Sequence, residues 1–302
     1  MIYKNFEQLI EQTGAGKGGK RIVAVMAAED SHTLEAVCQA ARTGAVEPLL
    51  IGNRQKMGRQ LELLGERPAD YALVHAETPE EVVFKAAALV NAGEAHFLMK
   101  GLIQTGEMMK YLLNEKCGFR TDTQLSHLGL VQIPNYHKLV GITDSALNIY
   151  PDLQQKRGMV VNAVNAMLRM GFDEPKVAVL AAVEQVNPKM PETLDAVELK
   201  KMNAAGELSR CIIEGPISYD LAICKESAAL KGYDSPVCGE VDLMVAPNIA
   251  AANILLKALR YSAEASSAGF VVGGKVPLVL TSRAAEVGSK YLPIVLAAAA
   301  SA

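Results

Sequence analysis

Short apolar runs alternate with amphipathic stretches along most of the chain. Arg21–Met26 (R-I-V-A-V-M) reads as a strand, and Asp30 or Ser31 then offers an N-cap for a helix over Thr33–Arg42 that ends near Gly44. Val46–Ile51 forms a second strand, closed by Gly52-Asn53. Thr78 precedes Pro79, Glu80 and Glu81, the order of a capped helix start, so Pro79–Ala92 is a helix. Ala95–Met99 is the next strand, followed by Lys100-Gly101 and a helical stretch over Glu107–Asn114. From Gln124 to Ile142, Pro, Asn, His and Gly fall between apolar pairs, the pattern of a strand region that leads out of a first domain.

The same rhythm then resumes. Pro151–Met170 predicts a long helix stopped by Gly171, Val177–Val183 a strand, and Thr193–Ala204 and Leu221–Ala229 two further helices. Val241–Val245 predicts a strand ending at Pro247-Asn248, and Ala250–Ser262 a helix. Val276–Leu280 has the composition of a strand covered on both faces, and the apolar run Tyr291–Ala302 that of a buried last helix. Strands alternating with helices imply mostly parallel sheets. We therefore expect an α/β protein of two α/β domains with a cleft between them.

Composition narrows the function classes. The chain has 302 residues, half of them hydrophobic, with a net charge of −3. That is enough apolar material for a large core, and the charge gives no general attraction to nucleic acid or anionic membrane. Trp is absent and aromatic residues make up 5%, which disfavours a base-stacking surface. The terminal apolar run is too short to span a bilayer, and the N-terminus lacks signal-peptide order. Five scattered cysteines, none in a C-x-x-C pair, fit reduced thiols in a cytoplasmic protein, and the five histidines form no metal-ligand spacing. No metal site is expected.

Two motifs look alike on paper and differ in context. Gly14, Gly16, Gly19 and Lys20 satisfy both a dinucleotide and a P-loop pattern, but they precede a strand instead of following one, and Arg21 stands where the P-loop needs Ser or Thr. An entry loop is the better reading. Lys100, Gly101 and Thr105 do follow a strand and open a helix, a placement that suits an anion. Thr281, Ser282 and Arg283 likewise fall just past the strand at Val276–Leu280, where ligands bind in parallel sheets. The Arg283 guanidinium offers a planar fork for phosphate or carboxylate, and Gly269, Gly273 and Gly274 upstream permit close approach. Asp144, Asn148, Glu214 and Asp220 read either as turn or cap residues or as groups reaching a cleft.

The ordered set of segments resembles the phosphate acetyltransferase/phosphate butyryltransferase family, closest to its butyryltransferase branch. The segments are Leu98-Met99-Lys100-Gly101 with Thr105, Thr143 through Pro151, Ala182-Val183-Glu184, and Glu214-Gly215-Pro216 with Asp220. Val241-Asp242-Leu243 leading to Pro247-Asn248, Asn253 and Lys257 follows, then Gly269 through Pro277 to Thr281-Ser282-Arg283. The resemblance implies an isocitrate/isopropylmalate dehydrogenase-like fold without a nicotinamide site. It implies domains over residues 1–126 plus 274–302 and over 127–273. It implies interconversion of a short-chain acyl-CoA plus phosphate with acyl phosphate plus CoA by direct transfer in a ternary complex. CoA would be a substrate and no cofactor tightly bound, and the enzyme a homo-oligomer, at least a dimer. The catalytic residues would be Ser282, Arg283 and Glu286. Substrate would be bound by Lys100, Gly101, Thr105, Asp144, Asn148, Pro247, Asn253, Lys257 and Gly273. Ala285 stands where the family carries Asp and Gly288 where it carries Glu; either Glu286 substitutes as base from a shifted position, or catalysis runs on Arg283, a helix dipole and solvent as base. That departure opens an alternative: a weak or inactive paralogue that binds CoA or acyl phosphate.

Overall fold

The computed structural model describes residues 2–13, 21–281 and 287–301. The glycine-rich loop 14–20 and the segment with Ser282, Arg283, Ala285 and Glu286 lie outside the described residues. By packing, the chain divides into two units: Met1–Leu9 with Thr123–Gly269, and Ile10–Asp122 with Phe270–Ala302.

After a short helix α1 (Phe6–Thr13), the chain lays down β1 (Arg21–Met26), α2 (Ser31–Arg42), β2 (Val46–Gly52) and α3 (Arg54–Leu63). Then come β3 (Ala72–His75), α4 (Pro79–Asn91), β4 (Phe97–Lys100) and α5 (Thr105–Leu112). The caps act as the sequence indicates. The Asp30 side chain accepts from the Thr33 N–H at 2.8 Å, and Thr78 from the Glu81 N–H at 3.2 Å. Val23–Met26 of β1 and Phe97–Met99 of β4 are apolar and buried, the pattern of parallel strands covered on both faces. α3 and β3 carry little pattern. Only Met57 and Leu61 of α3 are buried, one turn apart, and β3 has no fully buried residue. That weak signal explains why neither element stands out in the sequence.

The second rhythm gives β5 (Ser126–Gln132), β6 (Val140–Thr143), α6 (Leu153–Arg169), β7 (Lys176–Leu180), α7 (Pro191–Ala204) and β8 (Ile212–Ile217). It continues through α8 (Tyr219–Ile223), α9 (Lys225–Leu230), β9 (Leu243–Val245) and α10 (Ile249–Ser262). β5 and β6 pair antiparallel, while β6, β9, β7 and β8 follow in parallel order. β8 contains Glu214-Gly215-Pro216, which reads as a breaker. It stands last in the strand order, where a proline without an N–H is tolerated.

The helix expected over Leu221–Ala229 is two helices broken at Cys224, whose backbone is extended. Gly239 explains the break. Its N–H donates to the Leu221 carbonyl at 3.1 Å, the acceptor that the Lys225 N–H would use in a continuous helix. A Cβ on Gly239 would lie 2.7 Å from the Lys225 nitrogen, so only glycine allows this approach.

β10 (Ser266–Val272) carries the chain back. β11 (Leu278–Val279) then inserts beside β4, and α11 (Val287–Ala300) closes the sequence. The first strands order as β3-β2-β1-β4-β11-β10, parallel except for β10. The carboxyl ends of β1, β4 and β11 therefore share one edge, where Lys100, Gly101 and Thr281 lie.

Candidate functional site

Lys100 is the last residue of β4 and is 5% exposed. Its Nζ donates to the carbonyl oxygens of Gly101 and Ile103, both at 3.2 Å. Gly101 is a packing necessity. Its N–H donates to the Met26 carbonyl at 2.8 Å, and the next N–H, of Leu102, to the Ala27 carbonyl at 2.8 Å. A Cβ at Gly101 would meet the Ala27 oxygen at 2.4 Å. The two strand ends are thus laced together with no room for a side chain between them, and Lys100 is held at a fixed point of the lacing.

Beside it lies a pocket of ≈ 100 Å³ whose lining includes Lys100, Gly101, Thr281, Asp30, Thr33 and Lys290. Lys290 stands in the first part of α11 and is 2% exposed. Its Nζ donates to Thr33 Oγ1 at 3.3 Å and lies 3.7 Å from Asp30 Oδ1. Sequence reasoning passed over Lys290. The available signal was its isolation: it is the only charged residue in the apolar run Val287–Ala300. Thr105, paired with Lys100 in the sequence reading, is exposed at the start of α5 and is not part of this lining. Gly273 has φ +90 and its carbonyl accepts from Thr121 Oγ1 at 2.6 Å, a turn between β10 and β11.

Asp144, Asn148 and Asn253 come together in the other unit, past the carboxyl end of β6. Asp144 is 2% exposed. Its Oδ1 accepts the N–H groups of Ala146 and Leu147 at 2.8 and 2.9 Å. Its Oδ2 accepts the His127 N–H at 3.0 Å and the Asn148 side-chain amide at 2.6 Å. Asn148 also donates to the Leu125 carbonyl at 2.9 Å, and Asn253 to the Ser145 carbonyl at 3.1 Å. These three residues order the loop after β6.

That loop presents Ser145, whose hydroxyl lies 3.1 Å from His127 Nδ1. The imidazole packs against Gly269, where a Cβ would sit 2.6 Å from Nε2. This burial holds the His127 pKa below its ordinary value, against the opposing pull of Asp144. The pairing of His127 with Ser145 carries no sequence signal, because the two residues lie on different elements. Pro247 lies between β9 and α10, and Lys257 is exposed on α10. Among the described residues no group of His, Cys, Asp or Glu is placed to hold a metal ion, and no helix is long and apolar enough to cross a membrane.

Comparison with known proteins gives consistent results. The family model described as phosphate acetyl/butaryl transferase matches residues 61–298. A phosphate acetyltransferase of Thermotoga maritima is 42% identical over 97% of this chain and 98% of its own. A phosphate butyryltransferase of Clostridium acetobutylicum is 36% identical over 98% of each. Among solved structures, a branched-chain phosphotransacylase from Enterococcus faecalis aligns with TM-score 0.80 and 30% identity, covering 93% of this chain and 99% of that one. A 4-hydroxythreonine-4-phosphate dehydrogenase from Burkholderia phymatum, 10% identical, aligns with TM-score 0.61 over 93% of this chain and 98% of that one, a likeness of fold alone.

Proposed function

Because the chain belongs to the phosphate acetyl/butyryl transferase family, we propose that it interconverts a short-chain acyl-CoA and phosphate with acyl phosphate and CoA. The observation that carries this reading is the near-full-length identity to relatives named for both acetyl and butyryl transfer. Nothing among those relatives favours the binding-only alternative.

The chemistry suits the residues. In the direction of acyl-CoA formation, the CoA sulfur attacks the carbonyl carbon of the acyl phosphate, and phosphate leaves. Negative charge grows on the carbonyl oxygen and on the departing phosphate, so donors and cations aimed at those atoms lower the barrier. Lys100, fixed by the lacing of Gly101 to β1, supplies one such cation. In this reading Arg283 faces the phosphoryl group or the developing oxyanion, and Ser282 donates to the carbonyl oxygen or takes the thiol proton's hydrogen bond. Glu286 serves as the base for the CoA thiol, whose pKa in isolation is about 8.5. Alignment of two bound substrates provides the rest, with no covalent acyl-enzyme. Asp144, Asn148 and Asn253 shape a loop for the acyl-CoA, with Pro247 and Lys257 as further contacts in the same unit, while Gly273 and Thr105 contact substrate from their own unit. CoA enters and leaves as a substrate, and the enzyme works in the cytoplasm as a homo-oligomer.

The test is release of free CoA thiol from acetyl-, propionyl-, butyryl- and isobutyryl-CoA, with phosphate present or omitted. Phosphate-dependent release that disappears in Arg283→Ala supports the reading. Release independent of phosphate, or near-normal turnover by Arg283→Ala, contradicts it.

A further inference from the structure

A buried ammonium is unfavourable unless its charge is balanced. Lys290 is buried, yet its balance is incomplete. Its nearest carboxylate oxygen, Asp30 Oδ1, is at 3.7 Å, beyond hydrogen-bond distance. That same oxygen already accepts the Thr33 N–H at 2.8 Å as the cap of α2. The remaining partner, Thr33 Oγ1, is a neutral hydroxyl at 3.3 Å. The charge is therefore shared with a carboxylate that is committed elsewhere.

The pocket beside it adds a second cation, Lys100. Two ammonium groups and one carboxylate line a space of ≈ 100 Å³ at the carboxyl edge of a parallel sheet. The start of α2 adds its positive end to the same side. Among the described lining residues the cations outnumber the carboxylates, and the size suits a tetrahedral oxyanion but not an acyl chain on its pantetheine arm. Thr281, two residues past β11, adds a short polar residue to the wall.

We infer that Lys290 is a second phosphate-binding residue, acting beside Lys100 on the same oxyanion and held in place by Asp30 and Thr33. The inference rests on the reading that the chain uses phosphate as a substrate. It goes beyond that reading by assigning a residue of the last helix to the phosphate and by giving the cap of α2 a positioning role. A charge-assisted hydrogen bond lost from a phosphate corresponds to a fall in affinity of about 10- to 100-fold.

The experiment compares wild type, Lys290→Met, Lys290→Arg and Thr33→Val. Phosphate is varied at saturating acyl-CoA, and each protein's thermal midpoint is recorded with and without inorganic phosphate. Lys290→Met is expected to raise the phosphate KM about 10- to 100-fold and to leave the acyl-CoA KM within about twofold. Its stabilisation by millimolar phosphate is expected to shrink to that of a control salt at equal ionic strength, since a bound ligand adds to the general salt effect. Lys290→Arg keeps the charge and restores part of the phosphate affinity. Thr33→Val keeps the charge but loosens its hold, raising the phosphate KM a few-fold, and serves if Lys290→Met fails to fold. An unchanged phosphate KM in Lys290→Met or in Thr33→Val, or a change confined to kcat and the phosphate-free midpoint, overturns the inference. If wild type shows no phosphate-dependent turnover, the functional reading fails. In that case, phosphate stabilisation lost in Lys290→Met still supports the site, and phosphate stabilisation kept in that variant still overturns it.

Discussion

Lys138 and Lys290 are equally buried, each 2% exposed, and they end in different situations. Lys138 Nζ donates to Asp242 Oδ1 and to the Glu240 carbonyl, both at 2.7 Å. Asp242 in turn uses Oδ2 to accept the Lys176 N–H at 2.9 Å, at the amino-terminal end of β7. The Lys138 and Asp242 charges are matched at hydrogen-bond distance. Lys290 has a carboxylate only at 3.7 Å and borders a pocket at the carboxyl end of its sheet. The difference teaches how to separate two kinds of buried lysine. One kind ties elements together, and the other keeps part of its charge for a ligand. Burial alone does not distinguish them; the distance and prior commitments of the counter-charge do.

The sharpest way to break the comparison is Lys138→Met. Removing one partner of a matched buried pair strands the other and is expected to lower stability by about 3–5 kcal/mol, read by denaturant or thermal unfolding. Activity per folded molecule should be unchanged. If Lys138→Met leaves stability intact while raising the phosphate KM, the assignment of roles is reversed.

Gly101→Ala probes the lacing that fixes Lys100. Its Cβ would meet the Ala27 oxygen at 2.4 Å, so the strand end must shift. A shift on the order of 1 Å at a reacting group corresponds to a loss of roughly 10²-fold in kcat/KM, measured by initial rates. Full activity in this variant would separate Lys100 from the chemistry.

His127 offers a smaller and pH-dependent contrast. Burial against Gly269 lowers its pKa in the folded protein, while the unfolded side chain titrates near ~6.5. Below that pH the unfolded state binds the extra proton, so stability falls as pH drops through ~6.5 and on toward the folded value. The loss is about 1.4 kcal/mol for each pH unit between the two. Thermal midpoints from pH 8 to pH 5 should show this decline in wild type and a shallower one in His127→Asn. Parallel curves would mean that His127 does not carry it.

Lys257 gives the mildest case, an exposed lysine on α10. If it meets an anionic part of CoA, Lys257→Ala should raise the acyl-CoA KM about two- to fivefold at low salt and less at high salt. A salt-independent change would argue for lost packing instead.

Much of the fold was legible because strong local signals agree with the tertiary structure. Arg21–Met26 is apolar where helices cover it, and Asp30 and Thr78 cap the helices that they precede. The elements that escaped are those whose signals are overridden or faint. α3 buries only Met57 and Leu61, and β8 hides a strand behind Gly215-Pro216. The break at Cys224 is set by Gly239, a residue from another loop, which no local pattern reports. The candidate site divides in the same way. Lys100 and Gly101 were readable from their position past a strand. Lys290 was not, because its partners Asp30 and Thr33 lie at the far end of the sequence. Asp144 and Asn148 kept two readings in the sequence, and the hydrogen bonds show the loop-ordering one at work.

The most direct test is a crystal structure of the protein with inorganic phosphate. The account predicts a phosphate within hydrogen-bond distance of both Lys100 Nζ and Lys290 Nζ, with the Asp30 carboxylate turned to the far side of Lys290. A phosphate bound at another place, with the Lys100–Lys290 pocket holding only water at saturating phosphate, would contradict it.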